Sequence, residues 1–358
     1  MNIDGIHHIT LIGSDAQRTV DFYTRLLGLR LVKKTVNFDD PGSYHLYFGD
    51  ATGSPGSIVT YFIVPGARRG RAGFGGTHHY ALTVSDGAAL RKWKRWLSDN
   101  GVRVNGPLDR HYFESLYFQD PDGAIIELAT AGPGWAIDEE PDSIGTEHRT
   151  PPAEMIIRNR DHAAIAADTH EEPVTEITPD MALTRGMHHI TAIGGEIERI
   201  HDFYHGVLGL KLVKQTDNFD SPDSRHWYWA NDRGEPGSVI TYFEHDPRRS
   251  PPTIMGAGQT HHIALSVKDD ETQAMLSERL AAAGYRVSPV LDRTYFKSVY
   301  SADPHGMIVE IATAGPGFAV DEDPASLGQE LMLPEQLEPH RQDIERVLQP
   351  LSTPEWIG

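Results

Sequence analysis

Residues 260–267 read THHIALSV, and residues 307–312 read MIVEIA. The first stretch alternates as a half-buried strand does, so side chains two apart share a face. His262, Ala264 and Ser266 fall on one face, and His261, Ile263, Leu265 and Val267 on the other. The companions of His261 are core-like. The alternation therefore puts His262 in a cavity, with His261 turned away from it. The second stretch carries Glu310 in an otherwise apolar run. A carboxylate buried there is costly unless it is paired or bound to a metal. Two histidines and one carboxylate with open coordination positions suit an Fe(II) that activates oxygen. These two strands supply one of each, so another segment has to supply the second histidine.

Working outward, the same pattern recurs. GIHHIT at 5–10 returns as GMHHIT at 186–191, NFDD at 37–40 as NFDS at 218–221, and PGSIVTYF at 55–62 as PGSVITYF at 236–243. THH at 77–79 returns at 260–262, LDR at 108–110 at 291–293, and TAGPG at 130–134 at 313–317. The chain is thus two similar halves. Each half divides again, because histidine doublets open four strands: His7–His8, His78–His79, His188–His189 and His261–His262. Each doublet is followed by an amphipathic helical stretch ending at Gly28, Gly101, Gly209 or Gly284, where a left-handed C-cap is expected, with Ser14 and Ser85 as N-caps. Short β-like runs follow, such as YHLYF, SIVTYF, SLYFQD and AIIELAT. The pattern predicts an α+β protein of four βαβββ modules, forming two repeated halves with curved sheets around metal cups. The expected divisions are 1–145, a polar excursion at 146–184, 185–328, and a tail at 329–358. Within the tail, 333–351 reads as an amphipathic helix bracketed by prolines.

The first strand of each half offers one inward histidine, His8 or His189. The second module of each half offers a histidine and a glutamate, His79 with Glu127 and His262 with Glu310. A lone strand histidine is ordinarily a core or surface residue. Four doublets at one place in four repeats, with a buried glutamate closing each half, favour metal ligation. Consecutive pairing gives His8/His79/Glu127 and His189/His262/Glu310, whereas crossed pairing gives His8/His262/Glu310 and His189/His79/Glu127. The residues alone leave both open. Arg110 and Arg293 precede those glutamates, as do Tyr117 and Tyr300. An arginine could neutralise developing negative charge there, and a tyrosine could donate a hydrogen bond to it. The plainer reading is a surface salt bridge and a core aromatic. His7 and His261 could support the ligands or move a proton, although their strand direction argues for core positions.

Composition narrows the rest. The chain has 358 residues, no cysteine and a formal net charge of −19. The charge argues against a nucleic-acid partner. The lack of cysteine excludes disulfides and thiolate metal sites, and fits a cytoplasmic protein. No apolar run is long enough for a membrane span, and the start lacks the basic-then-apolar pattern of a signal peptide. No phosphate-binding glycine loop occurs, so no nucleotide cofactor is expected. Exposed sheet edges leave room for a homo-oligomer.

The four modules, the HHIT starts and the late GMIVEIA strand resemble the vicinal oxygen chelate superfamily. GIHHIT, LVKKTVNFDDPGSYHLYFGD and FAVDEDPASLGQELMLP are similar to its hydroquinone-type, MhqO-like ring-cleaving dioxygenases. That resemblance implies an extradiol-type dioxygenase using Fe(II), or Mn(II), with a small aromatic diol and O2 as substrates. It also implies His8, His262 and Glu310 as ligands, with Arg293, Tyr300, His7 and His261 around them. The chain departs from the dichlorohydroquinone enzymes in keeping a second set, His189, His79 and Glu127 with Arg110 and Tyr117. Two other readings share the fold: a glyoxalase-like lyase or isomerase, which needs a fourth protein ligand, and a non-catalytic binding protein, which ordinarily lacks the ligands.

Overall fold

The computed structural model describes residues 2–356. In each quarter of the chain, a strand opening on a histidine doublet runs into a helix and returns as three further strands. The first quarter holds β1 (Gly5–Gly13), α1 (Ala16–Asp21), β2 (Arg30–Asn37), β3 (Asp40–Gly49) and β4 (Ile58–Ile63). The second holds β5 (Gly76–Val84), α2 (Gly87–Asp99), β6 (Asn105–Asp109), β7 (Glu114–Gln119) and β8 (Ile125–Thr130). Between the halves lie β9 (His148–Arg149) and α3 (His162–Ala167). The third quarter holds β10 (Met187–Gly194), α4 (Ile197–His201), β11 (Lys211–Asn218), β12 (Ser221–Ala230) and β13 (Val239–Glu244). The fourth holds β14 (Thr260–Val267), α5 (Asp270–Ala282), β15 (Leu291–Asp292), β16 (Lys297–Ala302) and β17 (Ile308–Thr313), and α6 (Arg341–Val347) lies in the tail. No helix among the described residues is long and apolar enough to cross a membrane.

The expected stops hold. Gly28, Gly101, Gly209 and Gly284 all have φ between +72° and +87°, a left-handed conformation that residues with a Cβ rarely adopt. The starts differ by one residue. Asp15 and Asp86, not Ser14 and Ser85, accept the amide hydrogen bonds that open α1 and α2. A carboxylate also complements the positive end of the helix, and the displaced serines bond elsewhere, Ser14 to Asp122 and Ser85 to the Asp180 carbonyl. The tail is α-helical only over 341–347, after a single 3-10 turn at Glu338–His340, shorter than its pattern predicts. Pro339 lacks an amide hydrogen and disfavours helix at the residue before it, so the helix starts after it. Ile344 is buried, and the Tyr44 hydroxyl donates to the Gln349 carbonyl at 3.0 Å, docking the tail on β3.

Sheet order decides how the modules meet. One sheet runs β15-β16-β17-β14-β1-β4-β3-β2, and the other β6-β7-β8-β5-β10-β13-β12-β11-β9. Module one therefore joins module four through the antiparallel seam β1–β14, and module two joins module three through β5–β10. The pairing is crossed, and the two modules of one half do not share a sheet. One large apolar core draws residues from both sheets, and a smaller cluster lies by each seam. Hydroxyls also link the sheets, with Tyr61 donating to Asp120 at 2.6 Å and Tyr23 meeting Tyr80 at 2.7 Å.

Candidate metal centres

Each seam lines up a row of residues in register. Across the first sheet it reads Tyr300, Glu310, Ala264, His8, and across the second Tyr117, Glu127, Ala81, His189. The next row pairs Thr10 with His262 and Thr191 with His79. The ten-residue spacing from tyrosine to glutamate is thus a cross-strand pair. The two alanines put no bulk between the glutamate and the histidine of their row.

The strand alternation in the sequence misplaces the first histidine of each doublet. Ile6 faces Leu265 and His8 faces Ala264, so His7 is an extra residue in β1. Thr10 faces His262 and Leu11 faces Thr260, so His261 is extra in β14. His188 and His78 are extra in the same way at the second seam. A bulge re-aims a side chain that strict alternation would turn away. Each extra histidine therefore reaches its neighbour, Nδ1 to Nδ1, at 2.7–2.9 Å in all four doublets.

The six ligand candidates gather as two triads. In the first cup His8 Nε2 lies 3.2 Å from His262 Nε2 and 3.4 Å from Glu310 Oε2, and His262 Nε2 lies 3.0 Å from Glu310 Oε2. In the second cup the His79–His189 separation is 3.2 Å, and Glu127 Oε2 lies 2.8 Å from His79 and 3.2 Å from His189. Donors at about 2.1 Å from one ion, held at right angles, stand about 3 Å apart. Both triads therefore have the spacing of a facial ligand set.

Proton placement fits a cation as well. Ser298 and Ser115 donate to Oε1 of Glu310 and Glu127, while Oε2 of each glutamate, fully buried, has no hydrogen-bond partner. His188 Nε2 lies 3.1 Å from the Thr130 carbonyl, to which only an N–H can donate. Burial first, and then the neighbouring His189 ring, push His188 down to about 3, so it is neutral. Its Nδ1 must then accept from His189, which leaves the His189 Nε2 lone pair facing the cup. His7 is likewise pushed down to about 3, by burial and by His8, and bonds the Thr313 backbone. Burial alone would raise both glutamates, but the histidines facing them outweigh it and hold them well below the usual carboxylate range.

Arg293 and Arg110 sit in matching turns. The next residue, Thr294 or His111, takes a positive φ of 71° or 66°, and its amide donates to Asp292 or Asp109. The turn swings the arginine back over its tyrosine, with guanidinium carbons 5.5 Å from the Tyr300 ring and 5.0 Å from the Tyr117 ring. Arg110 Nε also donates to the Tyr117 hydroxyl at 3.1 Å. All four residues line the cavities over the triads. His7 and His261 do not line the first cavity, whereas His78 lines the second.

Two further pairs line the cavities and were passed over in the sequence. His45 with Tyr47, and His226 with Tyr228, lie two apart on one face of β3 and β12. Each histidine bonds its tyrosine hydroxyl, at 2.9 and 2.8 Å, and a threonine hydroxyl, at 2.9 and 2.6 Å. In the first cup the chain continues through Thr60 and Thr10 to His262 Nε2, with each step 2.9 Å. The signal was there: YHLYF and RHWYW stand at equivalent places in the repeat. Asn37, Phe38 and Asp39, together with Asn218, Phe219 and Asp220, form further cavity wall.

A family model described as Glyoxalase/Bleomycin resistance protein/Dioxygenase superfamily matches residues 5–128 and again 186–311. MhqO of Bacillus subtilis (strain 168), provisionally named a ring-cleaving dioxygenase, is 35% identical over 353 residues, covering 98% of this chain and 97% of that protein. Chlorohydroquinone/hydroquinone 1,2-dioxygenase of Sphingobium indicum is 29% identical over 350 residues, covering 97% and 96%. A crystal structure from Bacillus subtilis, provisionally named a dioxygenase, superposes with a TM-score of 0.78 at 35% identity over 99% of both chains. Glyoxalase I from Zea mays, at 18% identity, shares the fold with a TM-score of 0.56 over 87% of this chain and 92% of that one.

Proposed function

The chain belongs to the glyoxalase/bleomycin resistance protein/dioxygenase superfamily, and on that premise we propose that it is a metal-dependent, ring-cleaving dioxygenase of hydroquinone-type diols. One observation carries the reading beyond the family. Two histidine nitrogens and one carboxylate oxygen converge in the first cup, and the buried carboxylate oxygen has no hydrogen-bond partner. Three protein ligands leave positions for a diol oxygen and for O2, which favours a dioxygenase over a lyase with four protein ligands. The name of the Sphingobium relative supports hydroquinone as the substrate class.

His8, His262 and Glu310 would hold Fe(II), or Mn(II). The ion would act as a template for diol and oxygen and as a path for electrons between them. In the overall reaction a hydroquinone and one O2 give one product. The bond between a hydroxylated carbon and its unhydroxylated neighbour breaks, in the extradiol manner. Both oxygen atoms are retained, one in a carboxylate and one in an aldehyde. Arg293, whose charge is reinforced by Tyr300 and Asp39 against the cost of burial, stabilises negative charge that develops on the substrate. Tyr300 donates a hydrogen bond beside it. His7 and His261 orient the ligand imidazoles through the Nδ1 contacts. His45 and Tyr47 form the hydrogen-bonded wall through which a hydroxyl proton can leave. Phe62 and Phe296 pack against the ligand histidines and give the cup an apolar wall.

Oxygen consumption by Fe(II)-loaded protein on addition of hydroquinone or methylhydroquinone, with catechol alongside, tests the reading. Uptake should match loss of the aromatic absorbance and should fall at least 100-fold in Glu310→Ala. Unchanged uptake in that variant would sink the assignment of the site.

A further inference from the structure

We propose that the second cup, His79, His189 and Glu127, is a metal centre in its own right, and that it takes diols bearing a second ring or a comparably large apolar substituent. The inference rests on the ring-cleavage reading only for the substrate class. A duplicated site that had lost its use would be free to lose parts. This one keeps the complete ligand triad, the serine on the far carboxylate oxygen, the orienting histidines and the arginine–tyrosine pair.

The two cups differ in room and in how their mouths are held. A cavity of about 30 Å³ lies over the first triad and one of about 260 Å³ over the second. An apolar cavity of about 150 Å³ accommodates benzene. The second cup thus admits a ring with a large substituent as it stands, whereas the first admits a ring only once its wall moves. Phe113, Phe219 and Phe243 face the second cavity as their counterparts Phe296, Phe38 and Phe62 face the first, and Ile125 adds apolar wall that only the second has.

The wall segments explain the difference. Asp220, in the wall of the second cup, accepts from Arg110 at 2.8 Å and from Arg160 at 2.5 Å. Arg160 belongs to the excursion between the halves and is anchored in turn on the Met155 carbonyl at 2.7 Å. A strap from outside the repeat therefore fixes that wall. The equivalent residue at the first cup, Asp39, is 81% exposed and reaches Arg293 only at 3.8 Å. Among the described residues no second arginine reaches Asp39, so the wall of the first cup is held less tightly at that carboxylate.

Metal per chain in reconstituted wild type, Glu310→Ala and Glu127→Ala is the test, followed by the spin-resonance signal of the Fe(II)–nitric oxide adduct titrated with phenylhydroquinone and methylhydroquinone. The expected result is two metal equivalents in wild type and one in each variant. Phenylhydroquinone should perturb the adduct in Glu310→Ala, which retains the second cup, at a concentration at least ten-fold lower than in Glu127→Ala. One equivalent in wild type, kept in Glu127→Ala and lost in Glu310→Ala, would overturn the second centre. Equal response of both variants to phenylhydroquinone would overturn the size assignment. If Glu127→Ala does not fold, His79→Ala and Glu127→Gln replace it, and the wild-type stoichiometry stands independently. Two metals and a diol-sensitive adduct without oxygen uptake would uphold the second centre and overturn ring cleavage.

Discussion

At the scale of the residue, two alanines and four bulged histidines shape the first cup and its twin alongside the ligand candidates. Ala264 and Ala81 sit between glutamate and histidine in their rows, and anything larger occupies the place of the ion. Ala264→Leu is expected to lose the metal of the first cup while the second keeps its own, measured as metal per chain. Overpacking should lower stability by about 1–3 kcal/mol. His7 holds His8 from behind. In His7→Ala, metal affinity at that cup should fall about 10- to 100-fold, read by competition with a chelator. The ligands themselves were legible, because polar residues recurring in apolar strands of a repeat stand out. A supporting role for His7 and His261 was raised by their adjacency to the ligand candidates, but strand direction argued against it. Period-two alternation assumes an unbroken ladder, and a bulge is a property of two strands together, so nothing in either strand alone announces it.

At the scale of the element, the turn between β7 and β8 is fastened to the other sheet by a buried acid. Asp120 accepts from Tyr61, and from the amides of Asp122 and Ala124 at 3.0 and 2.7 Å. Burial nonetheless pushes its carboxyl up to about 6. The unfolded chain releases this proton near the ordinary value of about 3.9, and the folded chain only near 6, so between those pH values the fold binds more protons. Stability therefore declines as pH rises through that window and levels off above it. Asp120→Asn removes the titration. Its stability relative to wild type should improve by about 2 kcal/mol between pH 4 and pH 7, measured by urea unfolding at both. A constant difference would show that the carboxyl titrates normally. At this scale the βαβββ order and the glycine stops were legible, since both are local. The tail helix was overextended because apolar spacing counts residues that Pro339 prevents from joining.

At the scale of the whole molecule, the crossing of modules makes each cup a joint product of both halves. His8 comes from the first half, and His262 and Glu310 from the second; the other cup draws His79 and Glu127 from the first and His189 from the second. Residues 1–145 expressed alone should bind no metal at either cup and should expose the seam edges of β1 and β5. Co-expression with 185–358 should restore two equivalents per reassembled pair, measured on the purified complex. Metal retained by the first segment alone would contradict the crossed seam.

The amino-acid sequence by itself determined the repeat, the module order, the six ligand candidates and the arginine–tyrosine pairs. All of these are patterns of spacing and residue type that a chain carries whatever its partners. Tertiary structure decided which histidine meets which glutamate, where each doublet bulges, that His45 and His226 face the cups, and that one cavity is roomy and the other small. Those are contacts between strands more than a hundred residues apart. They follow from which edge pairs with which, and in a chain of four similar modules several edges have the right pattern to pair.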